Sequence, residues 1–322
     1  MRYTPFLAEL FKKNRAKLYA QLPPKSIVVV SSNDIMPTNA DGTMGFRQNS
    51  DLFYLSGLDQ EETYLILYPD APEPQWREIA FVRETSELIE IWEGHKYTKE
   101  EATQTSGIKN IQWSSNFESL LKTLVYSANH IYLTDNEHLR NASVVQTQNA
   151  RLGINIRNTY PNHAIGRLAP ILSDLRMQKE PEELQALQVA CDITEKGFRR
   201  VLNFTKPGVT EYEIEAEFIH EFTRNRSEGF AYTPIIASGA NACVLHYIDN
   251  ALTCKDGDIL LLDVGASYAN YNADMTRTIP VNGRFSPRQK QVYQAVHSVL
   301  NYATEIMQPG VFWVDYQKEV ER

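Results

Sequence analysis

The stretch GDILLLDVGASYANYNADMTRTIPV, residues 257–281, limits the folds open to this chain more than any other. The apolar residues Ile259 to Leu262 run into Asp263, and Asp274 follows on the far side of a Tyr- and Asn-rich segment. Two extended arms about a polar turn read as a β-hairpin. A turn centred between Tyr268 and Ala269 sets Asp263 directly opposite Asp274, with Cβ atoms about 5 Å apart. Like charges so placed destabilise a sheet, and burial adds to this unless one is protonated or a cation lies between them. A bridging divalent metal resolves the conflict, and two metals about 3.5–4 Å apart can share such carboxylates and activate a water. Two carboxylates are too few for a closed site, so further ligands must come from elsewhere. The seven histidines offer no HExxH pair. An Asp that faces solvent or caps a turn, and a protonated carboxyl pair, are the competing readings.

His246 is the other candidate. It sits in ANACVLHYIDN, residues 240–250, which reads as an otherwise apolar strand. It is either a hydrogen-bonded core histidine or, at a strand end, a proton carrier or substrate hydrogen-bond partner. The small-residue turn ASGAN, residues 237–241, lets backbone approach a ligand.

Composition excludes several classes. A net charge of -8 without a long run of one sign argues against nucleic acid and anionic membranes. No run approaches 18 apolar residues, which predicts no transmembrane helix, and the N-terminal segment lacks a secretory apolar region. Three cysteines, none in CxxC spacing, predict neither a disulfide framework nor a zinc knuckle. The expectation is a cytoplasmic protein.

The 322 residues predict two domains. In the first half, KSIVVVSS (25–32), TYLILYP (63–69), REIAFVR (77–83) and HIYLTD (130–135) read as strands. PEPQW (72–76) reads as a turn, and NFESLLKTLVYSA (116–128) as a helix with Asn116 as N-cap. The pattern predicts a mixed α/β domain over 1–174. Pro181, Glu182 and Glu183 then start a long amphipathic helix, proline first and carboxylates facing the positive end of the dipole. The second domain is expected over 175–322.

That second half hints at a repeat. Helix, Pro-Gly-Val and new amphipathic helix occur at Pro207 and, after a long helix from about Pro287, again at Pro309. Chance Pro-Gly helix stops give the same pattern. If the copies match, roughly 60 residues of the second are absent, which predicts a truncated chain.

SGANACVLHY, residues 257–293 and LRMQKEPEEL closely resemble the Xaa-Pro aminopeptidases (aminopeptidase P), which belong to the creatinase-type "pita-bread" metallopeptidases. FRQNSDLFYLSGLDQEE (46–62) and EIWEG (90–94) resemble the same family's N-terminal domain, which methionine aminopeptidase lacks. The resemblance implies a creatinase-like α/β domain with a mixed sheet, then an α+β pita-bread domain that is incomplete at its C-terminus. It implies two divalent metals, manganese in the usual case, on five protein ligands. Asp263 and Asp274 match the first two, and His246 matches a substrate-contacting histidine that stabilises the reaction intermediate. The other three, a His and two Glu, belong to motifs absent before Arg322. One of those Glu would shuttle protons. The chain by itself is therefore expected to be inactive.

The implied reaction releases the residue ahead of proline in a peptide by metal-activated water. The Xaa-Pro bond is a tertiary amide with no N–H and restricted geometry, which general peptidases handle poorly. The family's match to Trp92 lies on a loop that reaches a neighbouring subunit's site, implying a homo-oligomer (dimer or tetramer). Packing within its own domain is the competing reading. Prolidase, which cuts Xaa-Pro dipeptides, and a non-catalytic pita-bread binding module are the alternatives.

Overall fold

A computed structural model describes residues 3–322. The backbone forms two compact units, Tyr3–Ala186 and Leu187–Arg322.

The first unit begins with α1 (Ala8–Tyr19), β1 (Ser26–Ser31), α2 (Ser50–Ser56), β2 (Tyr64–Leu67) and β3 (Glu78–Val82). It continues through α3 (Glu87–Glu93), α4 (Lys99–Ser106), β4 (Asn110–Trp113) and α5 (Phe117–Val125). β5 (His130–Leu133), α6 (Gln148–Thr159), β6 (Ala164–Arg167) and α7 (Ala169–Met177) complete it. Its strands form one sheet in the order β4-β3-β2-β1-β5-β6. β1 runs parallel to β5 and antiparallel to β2, so the sheet is mixed as expected.

β1 explains its own composition. All six of its residues are buried, because both faces of the sheet are covered. Val28 and Val30 join Leu52, Leu55 and Leu67 in one core, while Ile27 and Val29 join Ile66, Phe81 and Phe117 in the other. Adjacent β-branched residues thus feed opposite cores through the period-2 alternation of a strand. The four strands expected from apolar runs are β1, β2, β3 and β5. Asn116 does precede α5, but its side chain makes no capping bond, and a 3-10 turn over Ser114–Asn116 leads into the helix.

The family-like stretch at residues 46–62 is built around α2. Asn49 caps it, accepting from the amides of Asp51 and Leu52, and left-handed Gly57 ends it. A Cβ on Gly57 would lie 2.2 Å from the Phe11 ring. Gln48 is buried and donates to the carbonyls of Leu58 and Gln60. Trp92 is not packed in its domain: it stands 79% exposed on α3, beside exposed Leu88 and Ile91.

Helix α8 (Pro181–Phe204) starts at Pro181 as expected and continues into the second unit. There follow α9 (Glu211–Arg224), β7 (Gly229–Phe230), β8 (Ile235–Ser238), β9 (Ile259–Asp263), β10 (Ala266–Tyr268), β11 (Tyr271–Asn272) and β12 (Thr276–Pro280). α10 (Pro287–Ile306) and α11 (Trp313–Val320) close the chain. β12-β9-β8 and β11-β10-β7 form two three-stranded sheets. Leu260 and Leu262 of β9 pack with Phe198, Val201, Ile214, Phe218 and Phe222. Pro-Gly-Val lies between helices at both predicted places, but Val209 is buried at 6% and Val311 is 48% exposed.

Candidate metal centre

β9 alternates: Leu260 and Leu262 point into the core, which turns Ile259, Leu261 and Asp263 to the opposite, half-buried face. Asp263 therefore ends a strand that is apolar on both faces while keeping its own carboxylate out of the core. The second arm returns through a two-residue turn at Ala269 and Asn270, with φ of 53° and 62°. Tyr268 pairs with Tyr271, and Asp263 pairs with Thr276.

This corrects the expected register. Asp274 is diagonal to Asp263 rather than opposite it, because the turn sits one residue later than the Tyr268–Ala269 bond. An even shift in pairing preserves the face, whereas an odd one would have sent Asp274 to the other side. The arms close tightly between the two carboxylates. A Cβ at Gly265 would lie 1.8 Å from the carbonyl oxygen of Ala273, so only glycine fits there.

The two carboxylates meet on a residue that sequence reasoning missed. The Tyr232 hydroxyl lies 2.6 Å from Asp263 Oδ1 and 3.0 Å from Asp274 Oδ1. Phe230 pairs with Ala266 and Ile235 with Asp263, so residues 231–234 bulge against the shorter partner segment. The Ala231 amide bonds the Gly265 carbonyl at 2.8 Å and anchors the start of that bulge. No spacing rule links Tyr232 to the hairpin, since only the bulge brings it across. Burial pushes the phenol well above its ordinary pKa, and the hydrogen bonds to Asp263 and then Asp274 push it further. It thus stays a neutral donor.

A phenol has one proton and faces two acceptors here. One carboxylate oxygen is left with a lone pair facing a lone pair, and the shared hydroxyl holds both acids close together. This arrangement of hard oxygen donors fits one edge of a divalent-cation site. Among the described residues, no group of three or more His, Cys, Asp and Glu converges to hold a metal.

His246 is not on a strand. β8 ends at Ser238, a 3-10 turn spans Gly239–Cys243, and His246 sits exposed on the loop that follows. Val244 and Leu245, which gave the stretch its strand-like look, are 52% and 88% exposed. Neither carboxylate is hydrogen-bonded to His246 among the described residues.

Comparison with known proteins places these features in a family context. Residues 185–322 match the sequence model of Metallopeptidase family M24, and residues 11–132 match that of the Aminopeptidase P, N-terminal domain. A Xaa-Pro aminopeptidase of Haemophilus influenzae is 32% identical over 302 residues, covering 94% of this chain and 67% of its own length. The Xaa-Pro aminopeptidase of Escherichia coli is 30% identical over 314 residues, covering 97% of this chain and 71% of its own. A solved structure described as an aminopeptidase P of Bacillus anthracis superposes with a TM-score of 0.91 at 31% identity, covering 98% of this chain and 75% of that one.

Proposed function

The chain belongs to the Xaa-Pro aminopeptidase family of M24 metallopeptidases, and from that premise we propose that Asp263 and Asp274 are its metal ligands and His246 its substrate-contacting histidine. The family's activity is metal-dependent aminopeptidase cleavage, and relatives of this name favour it over prolidase. The observation that carries the ligand assignment is the convergence of both carboxylates on the single Tyr232 hydroxyl.

Bound divalent ions would supply Lewis-acid polarisation and a water of lowered pKa. The chain's own residues do the rest. Asp263 and Asp274 would hold the cations through oxygens fixed on one face of a glycine-tightened hairpin. Tyr232 holds the two side chains in register with each other. His246, exposed on its loop, donates a hydrogen bond to the oxygen of the scissile carbonyl as charge develops there. Manganese is the proposed metal, since carboxylate donors suit hard divalent ions. Three free cysteines agree with a reducing, cytoplasmic setting. Exposed Trp92 is available to a second copy in a homo-oligomer.

The test is direct. Weak manganese binding by the carboxylate pair, followed by electron paramagnetic resonance, is expected in the 322-residue chain and lost in Asp263→Asn and Asp274→Asn. Equal binding by all three proteins would overturn the ligand assignment. With active protein, faster cleavage of Arg-Pro-Pro than of Gly-Pro separates the aminopeptidase from prolidase.

A further inference from the structure

The hydrogen bonds around α9 assign a role to a buried carboxylate that does not face the metal centre. Glu211, the first residue of α9, is 0% exposed. Its Oε1 accepts from the Ser238 amide at 2.8 Å and from the Ser238 hydroxyl at 2.7 Å. Its Oε2 accepts from the Tyr247 hydroxyl at 2.7 Å and from the Leu252 amide at 2.9 Å. Its own amide donates to the Leu252 carbonyl at 2.9 Å. Ser238 ends β8, Leu252 lies beyond the loop, and Tyr247 follows His246 directly. One side chain therefore ties the entry, the exit and the neighbour of His246 together.

Within the loop the backbone closes two short turns, the Val244 amide on the Asn241 carbonyl at 2.9 Å and the Tyr247 amide on the Val244 carbonyl at 3.3 Å. Both of the loop's ends are left-handed, Gly239 at φ 56° and Asn250 at φ 46°. Asn250 is 3% exposed and staples the exit: its Oδ1 accepts from the Ile236 amide, and its Nδ2 donates to the Pro234 carbonyl and to Glu215. Between these ends Val244, Leu245 and His246 are exposed. The orientation of His246 is therefore set by the backbone on either side and by Tyr247.

We propose that Glu211 is a positioning residue that fixes the His246 loop through Ser238, Tyr247 and Leu252. The proposal rests on the reading of His246 as the substrate-contacting group. A carboxylate suits the place because all four partners are donors. A glutamine can turn its oxygen to only one pair and sets its NH2 against the backbone amide of the other, which cannot accept.

Hydrogen exchange on the 322-residue chain tests the staple. In Glu211→Gln, peptides within 239–252 are expected to exchange about tenfold faster, while those from β9 and β12 are unchanged. Tyr247→Phe, which deletes one donor and leaves the carboxylate buried, is expected to give a smaller rise in the same peptides. It serves also if the glutamine variant does not fold. In catalytically active protein, Glu211→Gln is expected to lower kcat about tenfold or more with KM nearly unchanged, because the group it positions acts as charge develops. The loss should vanish in a His246→Ala background. Unchanged exchange in 239–252, or a kcat loss that adds fully to that of His246→Ala, overturns the positioning role. A His246→Ala variant with full turnover, in protein whose loop still loosens in Glu211→Gln, overturns the reading of His246 instead.

Discussion

Tyr232 brings one proton to two carboxylate oxygens, and this shortage governs how single residues here should behave. Without metal, Asp263 and Asp274 repel each other and compete for one donor. Removing one charge should then stabilise the chain while abolishing its response to cations. Asp274→Asn is expected to raise metal-free stability by up to about 1 kcal/mol and to remove any stabilisation by added Mn2+. Thermal melts with EDTA and with Mn2+ read both effects, and an Asp274→Asn protein that is less stable in EDTA counts against the repulsion. Tyr232→Phe should do the reverse. It deletes the donor and leaves both charges, which lowers metal-free stability by about 1 kcal/mol at this half-exposed site. Saturating Mn2+ should close most of that gap, because the cation offsets the charge that the phenol no longer touches.

At the scale of the element, the hairpin depends on Gly265 more than on its apolar arms. A methyl there meets the Ala273 carbonyl, which is backbone and cannot rotate away. Gly265→Ala is expected to lose about 1–3 kcal/mol or more and to weaken Mn2+ binding together with stability, since the arms carrying both carboxylates must part. Calorimetry and metal titration of the same preparation test that coupling; loss of stability with intact binding argues against it. Much of this element was legible in the sequence. The apolar run at 259–262 gave the strand, and the period of two kept both aspartates on one face despite a misplaced turn. The turn escaped because Ala269 carries no glycine-like signal for its left-handed backbone, although Asn270 beside it does. β4, in NIQW, and β6, in AIGR, escaped because short strands at a sheet's edge need little apolar sequence. The His246 segment misled in the opposite direction: its apolar residues face solvent, so periodicity reported no core. Tyr232 and Glu211 carried no local signal at all, since their partners lie far away in sequence.

At the scale of the whole molecule, each unit carries its own core, one on either side of the mixed sheet in the first and a helix-backed sheet in the second. Two unfolding transitions are therefore expected in calorimetry, and each can be moved separately. The handle for the first unit is Glu61, 8% exposed and paired with Lys96 and Arg83. Burial raises its pKa, but the hydrogen bond and charge of Lys96, its own backbone amide and the hydrogen bond from Arg83 together outweigh this and leave it below the ordinary carboxylate value. A depressed carboxylate stabilises the fold above the unfolded pKa, about 4.3, and that stability is lost as pH falls through the folded value. Glu61→Gln should therefore lower the first unit's transition at pH 7, by about 1–2 kcal/mol for the lost charged hydrogen bonds, and the gap to wild type should close as the pH is taken below 4.3. The handle for the second unit is the metal proposed at Asp263 and Asp274. At a hundred times its Kd, Mn2+ adds about 2.7 kcal/mol to the unit that binds it, which moves that transition by several degrees. The two treatments should act on different peaks: acid and Glu61→Gln on one, Mn2+ and EDTA on the other. A single peak that follows both would mean that the units unfold as one, and that metal bound at Asp263 and Asp274 stabilises the sheet around β1 as strongly as the hairpin that holds it.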